Sequence, residues 1–388
     1  TVFLNNFKYS IVLNNKARLK ENSLDSAIWL VDIVPALGRF SILKENIFVP
    51  FWILHVVLLV YVYLVGSVVF QMKHAQGAGE FIKGYVNISM MTLTLNNSYW
   101  IVKNRSMLRV VLRMVKQNDQ LSLESETLRK KHQKYISVMK KIVFIFYTLN
   151  ALDAFVIYMP NQINPTNNLY CMTPCVGIQP LTAYPQWQIC FAILVVQHIT
   201  MVIVVLSYQA ILLFLIVHTS AMFHLLSEDM VFEIEDLRNN YNFVSEKLPV
   251  LIRRHASILQ TIDKIKDLYS MPLGVNFGTN AFCIMFFFYI PLTEWVNYSP
   301  VLIYCFLVFF LYCFLCQKLI NAAEIFERAV YSCGWENFKV KEQNLLYVML
   351  MQAQKPILLL AADIIPVNIY TFATTLQAMY KFITVVKV

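Results

Sequence analysis

The stretch Ile47–Phe70 runs for 24 residues without one Asp, Glu, Lys or Arg. An apolar run of this length covers the roughly 30 Å of a bilayer's hydrocarbon as a single helix. Six further segments have the length and composition of spans: Phe81–Val102, Ile142–Met159, Trp187–His218, Leu273–Asn297, Val301–Cys316 and Asp363–Val386. Pro300 is expected to break the chain between the fifth and sixth. The second is the most polar, carrying Lys83, Asn87, Thr92, Asn96 and Asn97, as suits a helix packed inside a bundle rather than facing lipid. Composition agrees. Hydrophobic residues make up 58% of the 388 and charged residues 14%, against about 45–50% and about 25% in a soluble domain. So much apolar surface cannot be hidden in a water-soluble particle of this size. The expected fold class is all-α: a polytopic membrane protein with seven transmembrane helices.

Orientation follows from the basic residues. Residues 1–46 hold six Lys and Arg, 103–141 eleven, 219–272 six and 317–355 five, so 28 of the 32 fall on one side. Lys73, Lys83, Lys381 and Lys387 fall on the other, and 160–186 carries no charge. The positive-inside rule makes the first side cytoplasmic, so the amino terminus is cytoplasmic and the carboxyl terminus extracellular. The net charge of +9 is thereby spread over four segments and forms no single patch for nucleic acid. The first 46 residues are mixed and polar, without the apolar core of a cleavable signal.

Two cytoplasmic connections have helical periodicity. Leu251, His255, Ile258, Ile262, Ile265 and Tyr269 recur through Pro249–Tyr269, and Leu319, Ala323, Phe326 and Val330 through Lys318–Val330. As helices continuing from the spans, they would bury these stripes against each other or against copies of the chain. The arrangement between copies is expected, over helices lying on the membrane surface.

The chain has no P-loop, H-E-x-x-H, G-x-S-x-G or G-x-G-x-x-G motif, so neither an enzyme nor a bound metal or cofactor is expected. His198, inside a span, is a ligand contact or, more often for such a residue, a buried hydrogen-bonded side chain. Cys171 and Cys175 fall in an outer loop and are placed for a short disulfide, though four residues of separation leave the pairing open. Cys190, Cys283, Cys305, Cys313 and Cys316 read as small apolar residues of the spans. Asn297-Tyr298-Ser299 is a glycosylation acceptor weakened by Pro300, and Glu294 a solvated outer carboxylate. Asp153, beside Asn150 in the third span, is a ligand or ion contact or a structural partner. Asp363 stands at the cytoplasmic mouth of the last span, where a carboxylate attracts cations.

The last span is patterned. Tyr370, Thr374, Gln377, Lys381, Thr384 and Val388 repeat at four- and three-residue intervals, opposite Ile369, Phe372, Leu376 and Ile383. A polar stripe in a membrane helix must face protein or water. Repeated about a symmetry axis it would line a pore; the alternative is burial against polar partners in one subunit.

Ala329–Trp335 (A-V-Y-S-C-G-W), Leu350–Pro356 (L-M-Q-A-Q-K-P) and Ile365–Lys387 (I-P-V-N-I-Y-T-F-A-T-T-L-Q-A-M-Y-K-F-I-T-V-V-K) resemble the carboxyl-terminal signature of insect odorant receptors, with wording similar to the moth pheromone-receptor branch. The resemblance covers about 60 residues in sequence and the whole chain in its inverted seven-span layout. It implies a subunit of a tetrameric, odorant-gated, non-selective cation channel in the plasma membrane of an olfactory neuron. The implied partners are a co-receptor subunit, a small hydrophobic volatile ligand and the lipid bilayer. The short second cytoplasmic connection marks a tuning subunit. Matching tails puts Thr384 at the co-receptor's hydrophobic gate position and Lys387 at its polar neighbour. Gln377, Lys381, Thr384, Lys387 and Val388 are then pore-lining, with Ile383 or Val388 sharing the constriction. The implied odorant pocket, in the outer halves of spans two, three, four and six, places Tyr85, Ile88, Ser89, Ala151, Phe155, Ile193, Gln197 and Tyr304 as ligand candidates. The implied organisation is a cytoplasmic segment 1–46, six spans over 47–316, a helical cytoplasmic anchor over 317–355 and the pore helix in 356–388. A gustatory receptor is disfavoured because Gln377 follows Thr371-Phe372 one position early and Ala378 replaces Phe. A secondary transporter is disfavoured because the chain shows no internal repeat.

Overall fold

The computed structural model describes residues 18–43, 47–71, 73, 78–122, 126–163, 175–178, 185–237, 241–288 and 295–386. Its elements are α1 (Leu24–Leu37), α2 (Val49–Leu59) with a π-helical continuation (Val60–Gln71), α3 (Ala78–Lys103), α4 (Arg105–Leu121), α5 (Glu126–Ile163), α6 (Gln186–Leu237), α7 (Tyr241–Phe287), α8 (Trp295–Tyr331), a 3₁₀ turn (Trp335–Asn337), α9 (Val340–Ala353), β1 (Leu360–Ala361), β2 (Ile365–Pro366) and α10 (Ile369–Val386). Each of the seven predicted spans overlaps a helix among the described residues. Val49–Val69, Leu128–Asp153, Gln186–Val231 and Val301–Asn337 include stretches long and apolar enough to cross a membrane.

Several helices outrun the bilayer. The 52 residues of α6 extend roughly 78 Å at 1.5 Å per residue, so more than half its length lies beyond the hydrocarbon. Its middle, Val204 to Phe214, is buried among α1, α3, α7 and α8, with Tyr208, Ala210 and Phe214 almost wholly hidden. Beyond the apolar stretches, the extensions of α6, α7 and α8 pack on one another. Both amphipathic stripes are buried there, but inside one chain: His255 lies 4.7 Å from Phe326, and Phe223 5.9 Å from Phe326, between ring centroids. The expectation that copies of the chain cover these stripes is therefore corrected. Three long helices within a single chain already supply the apolar partners.

The amino-terminal segment is also more than a tail. Ser23 caps α1, accepting from the Ser26 N–H at 3.2 Å. The α1 face of Leu24, Ala27, Ile28, Leu30 and Val31 is buried. The Lys140 ammonium holds the preceding turn, donating to the carbonyls of Leu19 and Glu21, each at 2.7 Å.

Two of the prolines inside helices are answered by a side chain of a neighbouring helix. Pro35 has no N–H for the carbonyl of Val31, and the Tyr147 hydroxyl donates to that carbonyl at 3.1 Å. Pro272 likewise frees the carbonyl of Leu268, and the indole N–H of Trp100 donates to it at 2.8 Å. Asn96 and Asn276 donate to the Pro272 carbonyl at 3.1 and 2.8 Å, and Asn276 also bonds Asn97 at 2.9 Å. The amides that made the second span look weak are thus its ties to α7.

Two boundaries differ from expectation. α7 ends at Phe287, and Trp295–Asn297 open α8 instead of closing the fifth span. α8 passes through Pro300, whose missing N–H costs one hydrogen bond in its second turn, so Pro300 itself is not the break. Asp363 lies in a hairpin ahead of α10 rather than inside the last span.

Trp100→Phe should lower thermal stability in detergent by about 1–3 kcal/mol, the cost of an unpartnered buried carbonyl. The same change in a Pro272→Ala background should cost markedly less, because that substitution restores the missing backbone N–H; equal losses in both backgrounds would refute this accounting.

Candidate pore helix and ligand region

α10 starts where the sequence provides a cap. Asn368 accepts from the N–H of Thr371 at 2.8 Å, and the Thr371 hydroxyl donates back to the Pro366 carbonyl at 2.5 Å. Phe372 seats the helix on α8, its ring 5.4, 5.2 and 5.4 Å from those of Phe306, Phe309 and Phe310. Ile369 and Leu376 pack on the same side. Tyr370, Gln377, Lys381 and Thr384 are exposed, facing away from the chain's own bundle, with Thr374 half-buried. The threonines need less than expected: Thr374 donates to the Tyr370 carbonyl at 3.0 Å and Thr384 to that of Lys381 at 2.8 Å. Tyr370, Gln377 and Lys381 are the groups that require water or a polar neighbour. Lys387 and Val388 lie outside the described residues, as does the side chain of Ile383.

The ligand candidates occupy several surroundings. Ile193 packs against Leu59, Val62 and Tyr63, with Met90, Met91 and Met201 around the same cluster. Gln197 is buried, its amide nitrogen unpartnered. Tyr304 accepts from the Gln209 amide at 2.9 Å. Ser89 lies beside the Cys283 thiol, Ile88 is half-buried, and Tyr85 and Ala151 are exposed. The Phe155 side chain lies outside the described residues. Sequence reasoning passed over Tyr63, Met201 and Gln209. An amide inside the apolar fourth span, three turns beyond Gln197, was the signal for Gln209; Tyr63 and Met201 carry none in a hydrophobic run. A cavity lined by Pro35, Phe40, Trp100, Ile101, Arg105 and Ser207 sits instead between α1, α3, α4 and α6 and holds about 10 Å³, room for one water.

The outer loop is corrected. Cys175 is bonded to Cys190, at a Cα–Cα distance of 5.8 Å. Cys190 is thus not a small apolar residue of the fourth span but a tie from the top of α6 to the loop. Cys171, Glu294 and the side chain of Asn297 lie outside the described residues.

Where α4, α5 and α6 meet, burial pushes the Asp119 carboxyl up, but hydrogen bonding by His132 and the imidazole of His218 at 3.8 Å outweigh it and hold it below the usual range. This contribution is present above the unfolded carboxyl's pKa and lost as pH falls through the folded one, so acid loosens the contact. Asp229 is raised by burial despite its ion pair with Arg254.

Long apolar helices prolonged into a packed helical extension, with a separate last helix, define an all-α multi-pass membrane protein. Residues 77–380 match the family model described as 7tm Odorant receptor. The chain belongs to that odorant receptor family, a family of receptors rather than enzymes. Odorant receptor 67a of Drosophila melanogaster is 27% identical over 149 residues, 36% of each chain. Odorant receptor 85b of the same fly is 27% identical over 173 residues, 42% of this chain and 43% of the relative. The chain therefore matches less than half the length of these relatives. The olfactory receptor OR5 of Machilis hrabei in complex with eugenol superposes with a TM-score of 0.76 at 14% identity, covering 93% of this chain and 97% of that one. A second structure of OR5 gives 0.71 at 16%, covering 94% and 98%.

Cys175→Ser and Cys190→Ser should each lower stability by about 3 kcal/mol, as expected for opening a loop of about 15 residues, and the double substitution by no more. Thermal melts that respond to only one of the two would contradict the pairing.

Proposed function

We propose that this chain is the tuning subunit of an odorant-gated, non-selective cation channel, opening a central pore together with a co-receptor subunit in a heterotetramer. The observation that carries this reading is α10, anchored by Phe372 on one face while Tyr370, Gln377, Lys381 and Thr384 point away from the chain. In a membrane such a face needs water or polar neighbours, and several subunits about an axis supply a water-filled one. Gln377, Lys381, Thr384, Lys387 and Val388 line it. The amino terminus is cytoplasmic and the carboxyl terminus extracellular, in the plasma membrane of an olfactory neuron's dendrite. Residues 1–46 form the cytoplasmic segment, 47–316 the six-span ligand-binding bundle, 317–355 the anchor and 356–388 the pore segment.

Support for assembly comes from α9, where Val340, Tyr347 and Val348 are more than half exposed. In the cytoplasm this apolar surface calls for a cover, and neighbouring subunits provide it. The ligand is a small hydrophobic volatile of the moth sex-pheromone kind, held by dispersion and shape with few hydrogen bonds. Tyr85, Ile88, Ser89, Ala151, Phe155, Ile193, Gln197 and Tyr304 contact it. Binding shifts the population toward a state with the last helices apart. The eugenol in complex with OR5 is likewise a small molecule of low polarity.

Co-expression with a co-receptor subunit should give cation currents to some member of a panel of long-chain acetates, aldehydes and alcohols; silence with confirmed surface expression would sink the reading. Four Lys381 ammonium groups about one narrow axis repel each other and the permeant ion, so the chain expressed alone should carry little or no current. Thr384→Leu should change conductance or ion selectivity of the co-expressed channel, and an unaltered pore would move the constriction elsewhere.

A further inference from the structure

The root of the pore helix is fixed to α7 by an unusually close joint. Between β1 and β2 the chain turns at Ala362 and Asp363, both in the left-handed region with φ of 52° and 59°, where residues other than glycine are uncommon. The turn is held by one residue of α7. The Ala362 N–H donates to the Ser270 carbonyl at 2.9 Å, the Asp363 N–H donates to the Ser270 hydroxyl at 2.8 Å, and that hydroxyl donates to the Asp363 carboxylate. One helical turn on, Gly274 leaves the space the turn occupies. A Cβ there would lie 2.6 Å from the Ala362 Cβ and 2.7 Å from its nitrogen. Pro272 sits between the two contacts, in the part of α7 braced by Trp100 and Asn96.

Both sides of the joint continue without slack. Toward the pore, Val367 donates to Leu359 across the base of the hairpin at 2.9 Å, and the Asn368–Thr371–Pro366 cap ties β2 into α10. Toward the ligand region, α7 rises from Ser270 to Cys283 over 13 residues, roughly 20 Å, and there the Cys283 thiol meets Ser89.

We propose that Ser270 and Asp363 are positioning residues for gating: their joint, with Gly274, carries displacement of α7 at the ligand region into the base of the pore helix. The inference rests on the channel reading above and names the place where ligand and pore are mechanically connected. Loosening the joint uncouples the two without touching either.

The test uses the chain co-expressed with the co-receptor subunit, the panel compound that evokes the largest wild-type current, and surface labelling alongside. Asp363→Asn keeps a residue that tolerates the left-handed turn but weakens acceptance from Ser270; Ser270→Ala removes the hydroxyl. Each should raise the half-maximal concentration, by about tenfold where the pair is strongly coupled, and lower maximal current at unchanged surface abundance. The double substitution should do no more than the larger single one. Gly274→Ala should reproduce the loss by pushing the turn away, whereas Gly278→Ala, where a Cβ meets nothing within 4 Å, should gate as wild type. Additive shifts, unchanged or lowered half-maximal concentrations, or equal effects at Gly274 and Gly278 would overturn the proposal while leaving the channel reading intact. A wild type at the surface that answers no compound removes that reading, and the inference with it.

Discussion

The carbonyl that Pro272 leaves without its helical partner organises the centre of this molecule. Packed away from water, such a backbone group has no solvent to satisfy it, and an orphan costs about 1–3 kcal/mol. The Leu268 carbonyl takes the Trp100 indole as donor, which fixes α3 against α7 at one register. Trp100 in turn seats Tyr208 and Tyr269 against its ring at centroid distances of 4.9 and 4.7 Å, bringing in α6. One missing N–H therefore sets the meeting point of three helices. Pro35 and Tyr147 repeat the device between α1 and α5. In both cases the proline is tolerated because a neighbouring helix answers it, and the answer doubles as an interhelical tie.

The same logic explains which parts of the architecture the sequence disclosed. Apolar length is a one-dimensional property, so all seven spans were visible, and so was the face on which α10 would pack, since Phe372 and Leu376 share its period. Partners distant in sequence stayed hidden. Asn96 and Asn97 spoke for a helix packed inside a bundle but not for its neighbour, because their bonds go to residues 176 and 179 positions away. Pro300 looked like a break because sequence alone does not tell a proline in an early helical turn from one between helices. Cys190 looked like core because its partner, 15 residues back, lies beyond a loop whose course no pattern gives. The hairpin at Leu360–Pro366 was invisible for a related reason: two-residue strands carry no periodicity, and Ala362 is not a residue that advertises a left-handed turn.

The two proposed functional regions were legible to different degrees. An exposed stripe is a property of one helix, and one helix can be read. A pocket is a property of four, and depth along each span says nothing of rotation about its axis. That is why Gln197 is buried and Ile193 half-buried while Tyr85 and Ala151, chosen on the same ground, are exposed. Met90, Met91 and Met201 pack around Leu59, Val62 and Tyr63 as flexible, polarisable side chains that fit irregular gaps at small cost.

The pore stripe itself is narrower in its demands than its letters suggest. A threonine that returns its hydroxyl to the preceding turn of its own helix has settled its polarity locally, and Thr374 and Thr384 both do so. What they then offer a pore is chiefly a methyl group. Thr384 at a gate is thus less of a departure from an apolar residue than its name implies, since a ring of methyl groups can exclude water as other small apolar groups do. The remaining strong requirement is Lys381, whose ammonium has no such internal solution and whose charge is repelled by every copy of itself. A subunit with this residue on its pore face is suited to company that lacks it, and the electrostatics of one side chain favour a mixed assembly over a uniform one.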